Sequence, residues 1–313
     1  MVFGFRVRRA DRGGRGTTDG APRSGVVLGP RRQAGQLRRR REAAARRGRT
    51  VAGTGLLSAV IVLALAPLAG SSATRAGQSA AAGIPVAVTG GVASVGPLFG
   101  SSLTQPHWCT AALLAVPGRD IAVTAAHCLR GTGAGLQFVP GYSQGKAPYG
   151  VWQVTAAYVD PRWLSRRDPQ HDYALLALAP HVVGQRRVLL QDSVRGSVLW
   201  TAPAAGQVID AVAYRTGVGD RPITCAARVY WYRGYPAFDC HGYTAGTSGA
   251  PFLARYPGGG LAVRGVIGGL QQGGCRESTS YTSRFAADAA GVLRRAQLGA
   301  RADVLPQPGG SGC

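Results

Sequence analysis

The chain has 313 residues, including 47 glycines and 19 prolines, and carries a formal net charge of +22. More than half of that charge lies in residues 1–50, which hold 15 arginines and three acidic residues and show no apolar periodicity. Such a segment is typical of a solvated flank, so the charge does not support a folded nucleic-acid-binding surface. Abundant glycine and proline between short apolar runs favour an all-β fold.

An apolar segment follows this basic leader of residues 1–50. Residues 51–73 contain an apolar run from Val51 to Ala69 and small residues at Ser71 and Ala73, a pattern that predicts a secretory signal cleaved after Ala73. An uncleaved signal anchor stays open as the alternative, because about 19 apolar residues are just long enough to span a bilayer. We expect an exported protein that meets the membrane only transiently. Residues 74–83 are a small-residue linker.

Short strand candidates alternate with glycine, proline and aspartate turns from Ile84 onwards. The first series comprises Pro85–Thr89, Thr110–Val116, Ile121–Ala125, Leu136–Pro140, Gly150–Val159 and Tyr173–Leu178. The second series comprises Val198–Trp200, Gln207–Tyr214, Ala226–Tyr232, Pro251–Leu253, Leu261–Ile267 and Tyr281–Arg284. Two series of six strands predict barrels or sandwiches, with halves at about residues 84–195 and 196–284.

Only the end of this region has a helical pattern. Residues 285–298 are rich in alanine, with Leu293 and the basic pair Arg294-Arg295 before a glycine exit, and they predict a helix packed on the second half. Residues 299–313 are expected to form a flexible tail. All six cysteines follow the apolar segment, so an exported chain would form three disulfides.

Three segments carry residues suited to nucleophilic hydrolysis. A histidine ends the strand of Thr124-Ala125-Ala126-His127-Cys128. Asp172 opens a later strand, Asp172-Tyr173-Ala174-Leu175-Leu176. Ser248 lies in the tight turn of Gly246-Thr247-Ser248-Gly249. A hydroxyl nucleophile needs a base to take its proton and a carboxylate to orient that base, and the three residues offer these roles. Each residue alone would be a turn or capping residue, but their joint occurrence favours catalysis.

The three segments resemble those of chymotrypsin-like serine peptidases. Further similarity to exported trypsin-like peptidases of actinobacteria lies in Val95-Gly96-Pro97-Leu98-Phe99, Trp108-Cys109-Thr110-Ala111, Val139-Pro140-Gly141-Tyr142, Ala147-Pro148-Tyr149-Gly150-Val151-Trp152 and Gly265-Val266-Ile267-Gly268-Gly269. The resemblance covers roughly residues 84–298. It implies two six-stranded antiparallel β-barrels of chymotrypsin type with a C-terminal helix, and endopeptidase activity on peptide or protein substrates without a metal or other cofactor.

In this resemblance His127 is the general base, Asp172 orients it and Ser248 is the nucleophile. The backbone N–H groups of Gly246 and Ser248 would form the oxyanion hole. The disulfide Cys109–Cys128 resembles one that ties the histidine loop to a neighbouring strand. Cys225 with Cys240 would brace the segment before Ser248. Cys275 with Cys313 remains by elimination, and free or intermolecularly paired thiols stay open for these two.

The residues predicted for the specificity pocket depart from those of trypsin and of glutamyl endopeptidases. Gly242, six residues before Ser248, supplies no carboxylate for an arginine or lysine, and Ile267 stands where glutamyl enzymes have a histidine. Tyr243, Gly268 and Gly269 would complete an open, apolar pocket for an uncharged side chain of medium or large size. Thr247 replaces the aspartate that pairs with a new N-terminus in many relatives, so we expect activation without that ion pair.

A second function class stays open. An exported pseudopeptidase would keep the fold and act as a binding module without turnover, and a fold alone does not exclude it. The presence of His127, Asp172 and Ser248 together favours the enzyme. We expect a monomer that binds no nucleic acid.

Overall fold

The computed structural model describes residues 84–216, 221–307 and 309–313. The predicted leader, signal and linker, residues 1–83, lie outside these ranges. No helix within the described ranges has the length and hydropathy required to cross a bilayer.

The first half forms a closed six-stranded barrel. Its strands are β3 (Val95–Phe99), β4 (Cys109–Leu114), β5 (Ile121–Thr124), β6 (Gln137–Phe138), β7 (Trp152–Val159) and β8 (Ala174–Leu178), and they close in the order β3-β4-β5-β8-β7-β6. Strands β3, β4, β5 and β8 are buried along their whole length, and residues such as Leu98, Leu113 and Leu175 fill the barrel. The continuous apolar runs of these four strands in the sequence are explained by burial of both faces of each strand.

The second half is built from two sheets. Its strands are β11 (Val198–Leu199), β12 (Val208–Tyr214), β13 (Pro222–Arg228), β14 (Tyr230–Tyr232), β15 (Tyr235–His241), β16 (Pro251–Arg255), β17 (Leu261–Val266) and β18 (Thr279–Tyr281). A six-stranded sheet has the order β11-β17-β16-β12-β13-β2, where β2 is Ala87–Val88, and the other sheet joins β1 (Ile84–Pro85), β15, β14 and β18. Phe238 and Phe252 fill the space between them. A short hairpin, β9 (His181–Val183) with β10 (Arg186–Val188), lies between the halves in sequence.

The predicted all-β fold class with a C-terminal helix is confirmed, and the helix α2 spans Ala287–Gln297. The structure differs from the prediction in several strands and in the position of the helix. Strands β9, β10 and β15 were not predicted, and α2 packs on β7 and β8 of the first barrel, not on the second half as the sequence predicts. Strands β1 and β2 pair with β15 and β13 of the second half, whereas β3, which was not predicted, is the barrel's first strand. A second helix, α1 (Pro161–Arg166), is capped by the Asp160 side chain, which accepts a hydrogen bond from the Arg162 N–H.

Residues after α2 pack on the barrel instead of forming the loose tail that the sequence predicts. Asp303 accepts a hydrogen bond from the Val159 N–H at 2.9 Å, and Leu305 is buried. Backbone N–H and carbonyl groups of the barrel, from residues distant in sequence, thus hold this segment in place. The structure contains the three disulfides Cys109–Cys128, Cys225–Cys240 and Cys275–Cys313.

Candidate active site

Ser248 lies in the loop between β15 and β16, and backbone contacts from both halves hold that loop. The Thr110 N–H donates to the Ser248 carbonyl at 2.8 Å, and the Gly249 N–H donates to the Ile267 carbonyl at 2.7 Å. Gly249 has a φ of +80°, and a Cβ there would overlap the Thr110 carbonyl and the Thr124 hydroxyl. Only glycine fits this position, which explains the Ser-Gly sequence.

His127 lies in a single 3₁₀ turn, Ala126–Cys128, directly after β5. Its Nδ1 is 2.7 Å from the Asp172 Oδ2, and its backbone N–H donates to the Asp172 Oδ1 at 2.9 Å. The carboxylate thus orients both the ring and the main chain of the histidine. An Nδ1–H donated to a carboxylate leaves Nε2 free to accept a proton, which is the tautomer that a general base needs.

The Asp172 carboxylate is fully buried and is held by backbone groups from both halves. Besides the two contacts from His127, the Gly269 N–H donates to its Oδ2 at 2.9 Å. A Cβ at Gly268 would lie 3.0 Å from the same oxygen. Hydrogen bonds from three donors offset the cost of burying this carboxylate.

A charged network supports the segment that leads into Asp172. Burial acts to raise the pKa of Asp160, but hydrogen bonds from the Arg162 side chain and backbone hold that pKa below its ordinary value. Burial also acts to raise the pKa of Asp168. Hydrogen bonds from the Arg166 side chain and the Gln170 N–H outweigh this effect and lower that pKa below its ordinary value. The ionised Asp168 also caps the turn Pro169–His171 that precedes Asp172.

His127 and Ser248 line one open cleft of about 1080 Å³. Gly246, Tyr243 and Ile267, all predicted site residues, line the same cleft. Asp172 lies behind His127 and is not among its described lining residues. The structure therefore places the predicted nucleophile and base on one surface, with the carboxylate buried beneath it.

The N–H groups of Gly246 and Ser248 have no acceptor within the described part of the chain. The peptide that carries the Gly246 N–H is fixed from its other side, because the Thr216 N–H donates to the Ala245 carbonyl at 2.9 Å. In a trans peptide the N–H points opposite to the carbonyl, so this bond sets the direction of the Gly246 donor. The Thr110 hydroxyl also donates to the Gly246 carbonyl at 3.0 Å. Two oriented, unoccupied donors suit the oxyanion of an acyl-transfer reaction.

The predicted pocket residues separate into two groups. Tyr243 and Ile267 line the cleft, whereas Gly242, Gly268 and Gly269 are not among the described residues that line it. A Cβ at Gly242 would face Val86, one at Gly268 would face Asp172, and one at Gly269 would lie 2.9 Å from the Ser283 backbone nitrogen. The sequence assigns all three glycines to the specificity pocket, whereas in the structure they lie beside Val86, the Asp172 carboxylate and the backbone of Thr282 and Ser283.

Several residues that the sequence did not assign to the catalytic site or the specificity pocket also line the cleft. They are Thr244, Ala245, Gly273, Gly274, Cys275, Arg276, Glu277, Ser280, Ser311 and Cys313. The Glu277 carboxylate is half-exposed and lies 3.6 Å from the His241 Nδ1. Tyr243 donates to the Ala211 carbonyl at 2.6 Å, and burial raises the pKa of this phenol, so it stays neutral at physiological pH.

Two groups of described side chains have the composition of metal ligands. His127 lies beside Cys109 and Cys128, but these sulfurs are joined in a disulfide and offer no thiolate. Asp160, His171 and Asp288 form the second group. The Arg162 guanidinium already bonds to both of its carboxylates, so the cation at that site is an arginine.

Comparisons with known proteins agree with this geometry. The sequence model of the trypsin family matches residues 94–269. The crystal structure of protease Anisep from Arthrobacter nicotinovorans superposes with a TM-score of 0.56 at 22% identity, covering 68% of this chain and 99% of that one. The thermostable serine protease AL20 from an extremophilic microorganism gives a TM-score of 0.55 at 23% identity, covering 66% and 97%. At such identities the two structures support the fold. No curated protein matches the chain significantly.

Proposed function

Because this chain belongs to the trypsin family and is a serine endopeptidase, we propose that it is an exported enzyme that cleaves peptide bonds through an acyl-enzyme on Ser248. The observation that carries this proposal is the 2.7 Å contact between His127 Nδ1 and Asp172, with His127 and Ser248 on one cleft. Peptides or proteins are its substrates.

In the proposed mechanism His127 takes the proton of the Ser248 hydroxyl as its oxygen attacks the carbonyl carbon of the substrate. The negative charge that develops on the carbonyl oxygen is stabilised by the N–H groups of Gly246 and Ser248. His127 then gives the proton to the leaving amine, and the acyl-enzyme remains. Water attacks the ester with His127 again as base, which releases the acid and restores the serine. Asp172 stabilises the imidazolium in both steps.

We further propose that the residue before the cleaved bond is uncharged. Tyr243 and Ile267, both largely buried, are the apolar members of the predicted pocket that line the cleft shared with Ser248. A cation placed there without a partner would lose hydration that nothing replaces. Glu277 is the one acidic residue among the described lining residues, and its side chain is 55% exposed, so it is placed to attract a cation only at the solvent side.

Export, the domain boundaries and the monomeric state belong to the same proposal. Three disulfides in the structure support an oxidising compartment, since such bonds seldom persist in a reducing cytosol. The basic leader and apolar segment of residues 1–73 supply the proposed export signal, and the peptidase begins near Ile84. Sequencing the N-terminus of the secreted protein tests this, and a mature chain that keeps Arg46 and Arg47 would contradict cleavage after Ala73.

A fluorophosphonate probe tests the mechanism directly, because it reacts covalently with an activated serine. We expect one adduct on Ser248 in the wild type and none in Ser248→Ala. The matched control is Ser101→Ala, which removes another serine that lines the cleft and should be labelled like the wild type. Loss of Ser248 or His127 should lower turnover by a factor on the order of 10⁶. A folded wild-type protein that is not labelled would refute the catalytic role of Ser248.

Cleavage of a mixed peptide library tests the specificity. We expect medium or large uncharged residues before the cut bond. If arginine or lysine dominates instead, the comparison of wild type with Glu277→Gln identifies the group responsible. A requirement for a charged residue at that position would show the assignment of an apolar pocket to be wrong.

A further inference from the structure

The last residues of the chain cross from the barrel to the second half beside the candidate site. We call residues 305–307 and 309–313 the C-terminal strap. Its first anchor is a two-way backbone pairing, in which the Gly131 N–H donates to the Leu305 carbonyl at 3.0 Å and the Leu305 N–H donates back at 2.7 Å. The Leu305 side chain is buried. The strap therefore begins at a fixed position on the barrel. Its partner at that position, Gly131, lies only four residues after His127 in the chain.

Side chains from both halves then hold the strap backbone. The Arg167 Nε donates to the Gln307 carbonyl at 3.0 Å, and the Gln272 Nε2 donates to the Gly309 carbonyl at 2.7 Å. The disulfide from Cys313 to Cys275 closes the crossing covalently. Substrate binding cannot detach the end of the strap at Cys313, because that would require breaking a covalent bond.

Two strap residues, Ser311 and Cys313, line the same cleft as His127 and Ser248. Cys275 lies two residues after Gly273, which packs against Ile267, since a Cβ at Gly273 would lie 2.7 Å from the Ile267 Cγ2. The strap thus ends next to the apolar wall that is proposed to receive the residue before the cut bond. With the proposed function, in which the Ile267 wall receives the residue before the cut bond, this position is on the side of the substrate's acyl half.

We propose that the C-terminal strap is a specificity determinant, which limits the size of the second to fourth substrate residues before the cut bond. This inference rests on the proposed function, because the orientation of the substrate is defined by Ser248 and the Ile267 wall. Ser311 and Cys313 occupy this side of the cleft, and the disulfide to Cys275 keeps the end of the strap in place. Bulky side chains at those substrate positions are therefore excluded, while the chemistry at Ser248 does not depend on the strap.

The double variant Cys275→Ser/Cys313→Ser releases the strap without creating a free thiol. Matched peptides with alanine or tryptophan at the second, third or fourth position before the cut are compared by kcat/KM. We expect the wild type to prefer alanine at least tenfold over tryptophan, and the variant to lose most of that preference. Fluorophosphonate labelling at Ser248 is measured on both proteins and should still occur in the variant, which would show that the nucleophile remains active.

A second variant keeps the disulfide and tests the same wall in the opposite direction. Ser311→Trp adds bulk on the cleft and should lower kcat/KM for the tryptophan peptides at least tenfold more than for the alanine peptides. The matched control is Val304→Trp, which adds the same bulk at a position that is exposed and does not line the cleft. This pair keeps the proposal testable if the double variant does not fold.

The outcomes separate the two proposals. If the variants are labelled at Ser248 but show the wild-type ratio between the peptides, or change all peptides equally, the strap does not determine specificity. If the folded wild type is not labelled at Ser248, the proposed mechanism fails and the strap proposal fails with it.

Discussion

The hydroxyl of Thr110 offers the sharpest test of how the oxyanion donors are held. Thr110 is fully buried on β4, and its hydroxyl donates to the Gly246 carbonyl while accepting from the Tyr214 N–H, both at 3.0 Å. Thr110→Val keeps the shape of the side chain but removes both bonds. The backbone bond from the Thr110 N–H to the Ser248 carbonyl remains.

Two buried backbone groups would then lack a partner. Each costs about 1–3 kcal/mol, so the variant should lose about 2–6 kcal/mol of unfolding free energy. We also expect kcat to fall by about 10- to 100-fold, less than the 10²- to 10³-fold that follows complete loss of one oxyanion donor, because the Gly246 N–H is loosened and not removed. Affinity for a peptide boronate, which forms a tetrahedral adduct on serine, should fall in parallel with kcat, whereas KM should change little.

Thr110→Ser is the matched control, because it keeps the hydroxyl and removes one methyl group, at a cost of about 1 kcal/mol. Urea unfolding gives the stability, and peptide hydrolysis with boronate titration gives the effect on the site. Equal kcat values in the valine and serine variants would refute a positioning role for the hydroxyl.

Three further variants address the carboxylates and the nucleophile turn. Asp172→Asn should lower kcat by about 10⁴ in peptide hydrolysis with the fold intact, because the amide favours the wrong histidine tautomer, and an unchanged rate would exclude the proposed role. Gly249→Ala should lower the melting temperature and abolish fluorophosphonate labelling, because its Cβ would meet the Thr110 carbonyl, and wild-type values would contradict that clash. The lowered pKa of Asp160 beside Arg162 stabilises the fold above the ordinary pKa of 3.8, and this contribution is lost as pH falls through the folded-state pKa. Asp160→Asn should therefore lose less stability than the wild type in urea titrations as pH falls from about 5 to about 2, and parallel curves would exclude this linkage.

Local chemistry made much of the fold and site predictable. The strands of the barrel interior are uninterrupted apolar runs, and the sequence Gly246-Thr247-Ser248-Gly249 is recognisable as a tight turn, although the atoms that require glycine at position 249 belong to Thr110 and Thr124. Strand β3 was missed, because Gly96 and Pro97 in a five-residue stretch argue against a strand. Its glycine is required by a distant neighbour, since a Cβ there would lie 2.6 Å from the Val139 carbonyl carbon.

The unpredicted features depend on contacts between residues far apart in the chain. The Gly269 N–H that binds Asp172 and the Leu305 pairing with Gly131 leave no local signal, because any residue offers the same backbone groups. The strap has the composition of a loose tail, because it is held through backbone groups and not through characteristic side chains. Only the packed structure shows that its glycines lie beside Arg167 and Gln272, which hold its backbone.

The Asp172 carboxylate is where the two halves of the enzyme meet chemically. It receives the His127 backbone N–H from the first half and the Gly269 N–H from the second, and both bonds are 2.9 Å long. Nearby, the Ser248 loop of the second half is held by the Thr110 N–H of the first. Separation of the halves would therefore break the orientation of base and nucleophile together, although neither half would need to unfold. The strap, which is fixed to Gly131 on one half and through Cys275 to the other, opposes that separation covalently at the edge of the cleft.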